Sequence, residues 1–157
     1  MALSEKPLAT GSLDGVDFKI LKLLSQDSKM AFAELAKRVN LTAPAIHARV
    51  KKLERLGVIK KYRVEIDYEK IGLPVTAFIR IQIGKLSCRD AGKKLMEFDE
   101  VEECHAVAGE DDLVLKTRTA TPLELQNLLD KMKTKGLVEK SISVFVLETH
   151  FERPRAC

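Results

Sequence analysis

The chain has 157 residues, of which 45% are hydrophobic, so it is long enough for one ordinary domain or two small ones. Residues 13–62 contain 11 Lys and Arg against 5 Asp and Glu, whereas residues 74–151 contain 11 against 13. This asymmetry favours two domains, the first of which meets a polyanion, over a uniformly solvated surface. Because no apolar run approaches the roughly 18 residues of a membrane span and no signal peptide is recognisable, we expect a cytoplasmic protein that binds no membrane.

The three cysteines are scattered along the sequence as Cys88, Cys104 and Cys157. They form no Cys-x-x-Cys pair and have no histidine cluster of zinc-site spacing beside them. We therefore expect reduced thiols, no metal site and no cofactor.

The N-terminal part of the sequence predicts three helices. Residues 1–12 lack apolar periodicity and are expected to form a flexible arm. A first helix over 14–26 begins at Asp14, with Asp17 at its third position, and buries Ile20, Leu21 and Leu24. Residues 31–57 then predict two helices joined by a tight turn, with Leu35 and Val39 on the inner side of the first.

The second helix of this pair has a well-marked start and two distinct faces. Thr42 stands at the N-cap and Pro44 lies in the first turn, where its missing N–H has no helical partner to lose. At about 100° per residue, one stripe is apolar and faces the core; it comprises Ile46, Val50, Leu53 and Gly57. The opposite side presents Pro44, Ala48, Lys51 and Arg55. This pattern predicts a helix-turn-helix domain over residues 13–62.

A helix of this kind is typical of double-stranded DNA recognition. We expect its basic residues to contact phosphates and its first turns to meet base edges. The candidate DNA-binding residues are Thr42, Ala43, Pro44, Ala45, His47, Ala48, Arg49, Lys51, Lys52 and Arg55.

Three of these assignments have alternatives. Arg49 either binds guanine O6 and N7 or pairs with an acid of its own domain, such as Glu54 or Glu34. His47 either reads a base or is an ordinary polar side chain. The alanines either contact thymine methyl groups or simply favour the helix.

Residues 58–67 alternate in polarity and predict a strand. With Lys60, Lys61 and Arg63, this strand either forms a wing that contacts phosphate or links the two domains. We expect a linker over 63–73, because the pattern ends at Gly72 and Pro74.

Residues 74–151 predict a βαββαβ domain, followed by a tail over 152–157. Strands over 75–84, 101–108, 112–119 and 138–149 alternate with two helices, the first capped by Ser87 and the second by Thr121. The fold class is thus α+β, a winged helix-turn-helix domain followed by a ferredoxin-like βαββαβ domain for ligand sensing and oligomerisation. Since two helices cover one face of the sheet, we expect an identical copy to bury the other.

These elements together resemble the Lrp/AsnC family of bacterial and archaeal transcription regulators, the feast/famine proteins. The likeness covers roughly residues 13–150 and is carried by four stretches. They are Leu13-Asp14-x-x-Asp17-x-x-Ile20-Leu21-x-x-Leu24, Glu34-Leu35-Ala36-x-x-Val39-x-Leu41-Thr42, Arg49-Val50-Lys51-x-Leu53-Glu54-x-x-Gly57-Val58-Ile59, and Gly109-x-x-Asp112-x-x-Leu115. The resemblance implies a homodimer, often assembled into tetramers or octamers, that reads pseudo-palindromic operators.

The resemblance also implies a small effector, commonly an amino acid, at the loop formed by Ala108, Gly109, Glu110, Asp111 and Asp112. There the acids would hold an ammonium group and the loop N–H groups a carboxylate; taken alone, the same residues are those of an ordinary turn between two strands. The sequence departs from the family where a Ser or Thr usually stands, at Ala31 and at Ala108. Ala31 weakens its helix start by about 1 kcal/mol, and Ala108 offers the effector no hydroxyl.

An enzyme is the alternative function. Siroheme decarboxylases have a similar architecture and use histidines, and His105 lies on a strand of the second domain. No triad, paired carboxylates or phosphate-binding loop stands out, and four basic residues on one helix favour a regulator that is not an enzyme.

Overall fold

The computed structural model describes residues 13–152, which form two units. The first extends to Glu65 and the second spans Ile66–Phe151. The predicted arm over 1–12 and the tail from residue 153 onward lie outside the described residues. Among the described residues, no helix is both long and apolar enough to cross a membrane.

The first unit is a three-helix domain, as predicted. Its helices are α1 (Gly15–Gln26), α2 (Phe32–Val39) and α3 (Ala43–Arg55). At the start of α1, the Asp14 carboxylate accepts hydrogen bonds from the N–H groups of Val16 and Asp17, and the Asp17 carboxylate accepts one from the N–H of Asp14. These reciprocal bonds satisfy N–H groups that the helix itself leaves unpaired.

The other two helix starts differ from each other. The Thr42 hydroxyl accepts from the N–H of Ala45 at 3.4 Å and caps α3. Ala31 offers α2 no side-chain cap, and this helix ends at Asn40 in the left-handed conformation. One small core holds the three helices together; its buried members are Ile20, Leu24, Leu35, Ala36, Ile46, Val50 and Leu53.

The strand predicted over residues 58–67 is wrong: no strand forms there. Val58 and Ile59 pack on the core of the first unit, whereas residues 60–67 are exposed. Alternating polarity describes which side chains fit a strand, but a strand also needs a neighbour for its N–H and C=O groups. Within the described residues, no neighbouring strand pairs with this segment.

The second unit has the predicted βαββαβ order. Its elements are β1 (Val75–Gln82), α4 (Cys88–Leu95), β2 (Val101–Ala106), β3 (Leu113–Thr119), α5 (Pro122–Thr134) and β4 (Lys140–Phe145). The strands form one antiparallel sheet in the order β2-β3-β1-β4. The last strand is shorter than its predicted 138–149 span because pairing with β1 ends at Phe145.

Both helices of the second unit cover the same face of the sheet. Leu95 of α4 and Leu128 of α5 belong to one buried cluster with Ile79 of β1 and Leu115 of β3. On the opposite face, which we call the outer sheet face, apolar side chains remain accessible. Phe78 is 41% exposed, Ile142 54% and Val144 49%, so the predicted uncovered face is present.

Candidate nucleic-acid interface and effector loop

Helix α3 has the two faces that its sequence predicts. Ile46, Val50 and Leu53 are at most 1% exposed and anchor the helix in the core. Six of the candidate DNA-binding residues within α3 itself are exposed: Ala43, Pro44, His47, Ala48, Lys51 and Arg55. We call these six residues the reading face of α3. Thr42 is also exposed, but its hydroxyl is used in the cap.

Arg49 and Lys52 lie on the side of α3 that faces the start of α1. Arg49 Nη1 donates to Asp17 Oδ1 at 2.7 Å and to Asp14 Oδ2 at 2.8 Å. Lys52 Nζ donates to Asp17 Oδ2 at 3.3 Å. Because the Asp17 side chain is completely buried, these two cations compensate a carboxylate that is out of contact with water.

The pKa values in this cluster reflect the same contacts. Burial raises the pKa of Asp17, but hydrogen bonds from Arg49, from the N–H of Asp14 and from Lys52 outweigh burial, so the net pKa is lowered. The N–H of Asp17 and the guanidinium of Arg49 lower the pKa of Asp14. Hydrogen bonds to Asp17 and Asp14 raise the pKa of Arg49. The cluster therefore favours two ionised acids and a charged arginine.

These contacts identify the acids that Arg49 pairs with. Sequence reasoning allowed a pair within the domain but named Glu54 or Glu34, and those partners are wrong. Glu34 Oε1 accepts from Arg38 at 2.9 Å, and Glu54 pairs with Lys51. The sequence does contain a signal for the correct partner of Arg49. Asp17 is an acid in the first turn of α1, and the capping box that it forms with Asp14 directs its side chain inward.

The reading face is fixed by short contacts at one edge. Glu54 Oε2 accepts from Lys51 Nζ at 2.8 Å, while its Oε1 accepts from the Tyr62 hydroxyl at 3.0 Å. Lys51 and Tyr62 lower the pKa of Glu54, and burial and Glu54 raise the pKa of Tyr62. The ring of His47 meets Phe32 edge to face at 5.7 Å. Arg55, in contrast, makes no ion pair within residues 13–152.

The candidate effector loop joins β2 to β3, and the side chains of both of its aspartates accept hydrogen bonds from other groups of the second unit. Asp111 Oδ2 accepts from Arg80 Nε at 2.6 Å, and Asp112 Oδ2 accepts from the N–H of Ile83 at 2.8 Å. The Gln82 side chain donates to the carbonyl of Glu110 at 2.8 Å. In the described part of the chain, no hydrogen bond uses the N–H groups of residues 108–111. The loop thus offers N–H donors and the exposed Glu110 side chain.

A cleft of about 370 Å³ lies next to this loop. Sequence reasoning missed it because its walls come from β1, α5 and β4 as well as from the loop. The lining residues are Arg80, Gln82, Asp111, Lys133, Glu139, Lys140, Ser141 and Ile142. Because positively and negatively charged side chains line the cleft together with one apolar side chain, its lining suits a small zwitterionic ligand.

The remaining reactive side chains do not converge. His105 is exposed and its Nε2 lies 3.0 Å from Glu103 Oε2 on the same strand. Cys88 and Cys104 are free thiols, and burial together with Cys88 raises the pKa of Cys104. Within residues 13–152, no three His, Cys, Asp or Glu side chains are grouped to hold a metal ion.

Comparison with known proteins agrees with this architecture. A winged helix-turn-helix DNA-binding model matches residues 13–60, and a Lrp/AsnC ligand binding domain model matches residues 76–156. The HTH-type transcriptional regulator FL11 of Pyrococcus furiosus is 34% identical over 142 residues, which are 90% of this chain and 94% of that protein.

Two solved structures are similar over nearly the whole chain. The leucine response regulatory protein LrpA of Mycobacterium tuberculosis has a TM-score of 0.82 at 32% identity, with 92% of this chain and 100% of that chain covered. The L-Met complex of the transcriptional regulator NMB0573 from Neisseria meningitidis has a TM-score of 0.83 at 28% identity, with 90% and 94% covered. Each unit therefore has its counterpart in proteins that regulate transcription.

Proposed function

This chain belongs to the Lrp/AsnC family of transcriptional regulators, and from that premise we propose that it reads a specific operator with α3 and responds to a small effector. The main support for this proposal is the division of α3 into a buried apolar stripe and an exposed reading face. A helix anchored in this way presents its free side to the major groove at fixed depth. Since genomic DNA is the target, the proposed site of action is the cytoplasm.

DNA contacts divide into two groups by side-chain chemistry. Lys51 and Arg55 contact phosphates, which supply affinity and register. Ala43, Ala48 and His47 meet base edges near the start of the helix, where small side chains permit close approach to thymine methyl groups. Arg49 and Lys52 are left out of this contact set because they compensate buried Asp17.

The effector in this proposal is an amino acid bound at the loop of residues 108–112. The regulator that resembles this chain and was solved as an L-Met complex supports this class of ligand. Because Arg80 and the Ile83 N–H already engage Asp111 and Asp112, the effector carboxylate binds the loop N–H groups and Glu110 receives the ammonium group. Ala108 provides no hydroxyl, which favours an effector with an apolar side chain.

A homodimer completes the proposal, with the outer sheet face as its interface. Phe78, Ile142 and Val144 form an exposed apolar group on a sheet whose other face is already buried. A two-fold interface would bury this group and pair two copies of α3, so that a pseudo-palindromic operator matches the protein. Tetramers and octamers would assemble from such dimers.

Selection from a random duplex library tests the proposal. The retained DNA should contain a dyad with half-sites about one helical turn apart. The variant Lys51→Ala/Arg55→Ala should lose this enrichment, whereas Arg89→Ala/Lys94→Ala, which removes two exposed cations of the second unit, should retain it. No enriched sequence from the unaltered protein would refute the operator proposal.

Two further measurements separate the effector from the dimer. Sedimentation with a panel of amino acids should show a change in assembly with at least one, since only a ligand with different affinities for two assemblies shifts their balance. Glu110→Gln should weaken that response, whereas Glu69→Gln should not. Val144→Glu should give monomers, and an unchanged mass would contradict the outer-sheet interface.

A further inference from the structure

Residues 68–73, directly before β1, form a compact turn that we call the anchor turn. The carbonyl of Tyr68 accepts hydrogen bonds from the N–H groups of Ile71 and Leu73 at 3.3 and 2.9 Å. Gly72 adopts a φ of 81°, which a residue without Cβ reaches at no steric cost. The backbone therefore shapes this turn, and the Tyr68 side chain is available for a contact outside it.

The Tyr68 ring rests on the guanidinium group of Arg118 in β3. The Arg118 Cζ atom lies 3.8 Å from the centroid of the ring, within the range of a cation–π contact. Arg118 Nε donates to Glu102 Oε1 at 2.6 Å and its Nη1 donates to Thr76 Oγ1 at 2.8 Å. Because these bonds join it to β2 and β1 and only 13% of its side chain is exposed, Arg118 offers the ring a fixed, flat seat.

This seat lies on the outer sheet face. Thr76 pairs with Arg118 across the ladder between β1 and β3, and it stands two residues before Phe78, so both point to the same face. The outer sheet face is also the proposed dimer interface. In a two-fold dimer built on that face, the two anchor turns would stand at one fixed separation.

A short exposed segment separates the anchor turn from Tyr62, whose hydroxyl donates to Glu54 of α3 at 3.0 Å. The segment consists of residues 63–67, which we call the tether. The tether is exposed, and within residues 13–152 its members 63 to 66 make no hydrogen bond or ion pair. Fully extended, its five residues span at most about 17 Å.

Loss of the contact between Tyr68 and Arg118 would lengthen the free chain. Hydrogen bonds at the surface make a small net contribution because water replaces them, so we expect the anchor turn to detach with the ring. The free chain would then cover residues 63–74 and span up to about 40 Å. Since effective concentration falls roughly as the −3/2 power of tether length, an increase from 5 to 12 residues lowers it roughly three- to fourfold.

We propose that Tyr68, seated on Arg118, sets the half-site spacing that the dimer accepts on DNA. Tyr68 is a positioning residue, which acts by keeping the tether short at a fixed point of the second unit. The inference rests on the proposed dimeric reading of an operator, and it adds a determinant of operator choice that lies outside α3.

Binding to duplexes of altered half-site spacing tests the inference. The duplexes are the dyad selected by the unaltered protein, the same dyad lengthened by about 5 base pairs or half a helical turn, and a single half-site. Tyr68→Ala should bind the selected dyad roughly three- to fourfold more weakly and discriminate less against the lengthened dyad. It should bind the single half-site as the unaltered protein does, because α3 is unchanged.

Matched variants isolate the contact of the ring. Tyr68→Phe keeps the ring, and since the Tyr68 hydroxyl makes no hydrogen bond within residues 13–152, it should keep the original spacing preference. Ile71→Ala, a change in the same turn at a side chain that is 57% exposed, should keep it too. Arg118→Lys retains the positive charge beside Glu102 but not the flat guanidinium, so it should match Tyr68→Ala.

The double variant Tyr68→Ala/Arg118→Lys tests whether the two residues act together. It should show no greater effect than either single variant, and additive effects would overturn the role of the contact. Circular dichroism melting checks that each variant is folded, and sedimentation checks that it is still a dimer. A monomeric Tyr68→Ala would also overturn the inference, because Tyr68 would then belong to the dimer interface.

The unaltered protein distinguishes failure of the inference from failure of the proposed function. If it binds the selected dyad no more tightly than the single half-site, the proposed dimeric reading fails. If it prefers the selected dyad and Tyr68→Ala has the same preference for spacing and the same affinity, only the role of Tyr68 is overturned.

Discussion

Removing the charge of the buried Asp17 side chain should strongly destabilise the first unit. Asp17→Asn keeps the shape of the side chain but removes the charge that Arg49 and Lys52 approach at 2.7 and 3.3 Å. Breaking a fully buried ion pair costs about 3–5 kcal/mol. Arg49 retains Asp14 and is itself 28% exposed, so we expect the lower end, about 3 kcal/mol.

The size of that loss makes it measurable. A unit of about 50 residues has a total stability of roughly 3–8 kcal/mol at 0.05–0.15 kcal/mol per residue, so roughly 40% or more of it would be lost. Hydrogen exchange of peptides from α1 and α3 reports this unit separately from the sheet. Glu65→Gln, an exposed acid in the same unit, is the control. A change below about 0.5 kcal/mol would refute the assignment of Asp17 as a buried, compensated charge.

Three further predictions follow from individual contacts. The lowered pKa of Asp17 means that its stabilisation is complete above its unfolded-state pKa and is lost as pH falls through the lower folded-state value, so acid unfolding of the first unit below about pH 4 should lose part of its pH dependence in Asp17→Asn. Ala31→Ser should stabilise the first unit by about 1 kcal/mol in thermal melts by capping α2, whereas Ala33→Ser, inside the helix, should not. Because the pKa of Cys104 is raised, its alkylation at pH 8, followed by peptide mass mapping, should be slower than in the unfolded chain, and an equal rate would contradict the raised pKa.

Sequence reasoning succeeded where the determining contacts are local. The capping residues Asp14 and Thr42 bond within three residues of themselves, so the starts of α1 and α3 were predictable. The apolar stripes of the helices likewise depend on spacing alone. The order of strands and helices in the second unit followed from the same local signals.

Sequence reasoning failed where a partner distant in sequence decides the pairing of a side chain or strand. Arg49 pairs with Asp17, 32 positions away, and spacing rules do not identify that acid. The alternation over residues 58–67 predicted a strand, but within the described residues no neighbour completes it. Asp111 and Asp112 resemble free effector ligands in the sequence, yet Arg80 and the Ile83 N–H engage them.

Recognition of one DNA sequence by the reading face of α3 can be measured as the ratio of two dissociation constants. Titration of the protein with its selected duplex and with a scrambled duplex of equal length, at about 0.15 M salt, measures specificity apart from charge attraction. We predict that the selected duplex binds at least about 10³-fold more tightly. Equal affinity for the two duplexes would contradict this claim and reduce α3 to a non-specific cationic surface.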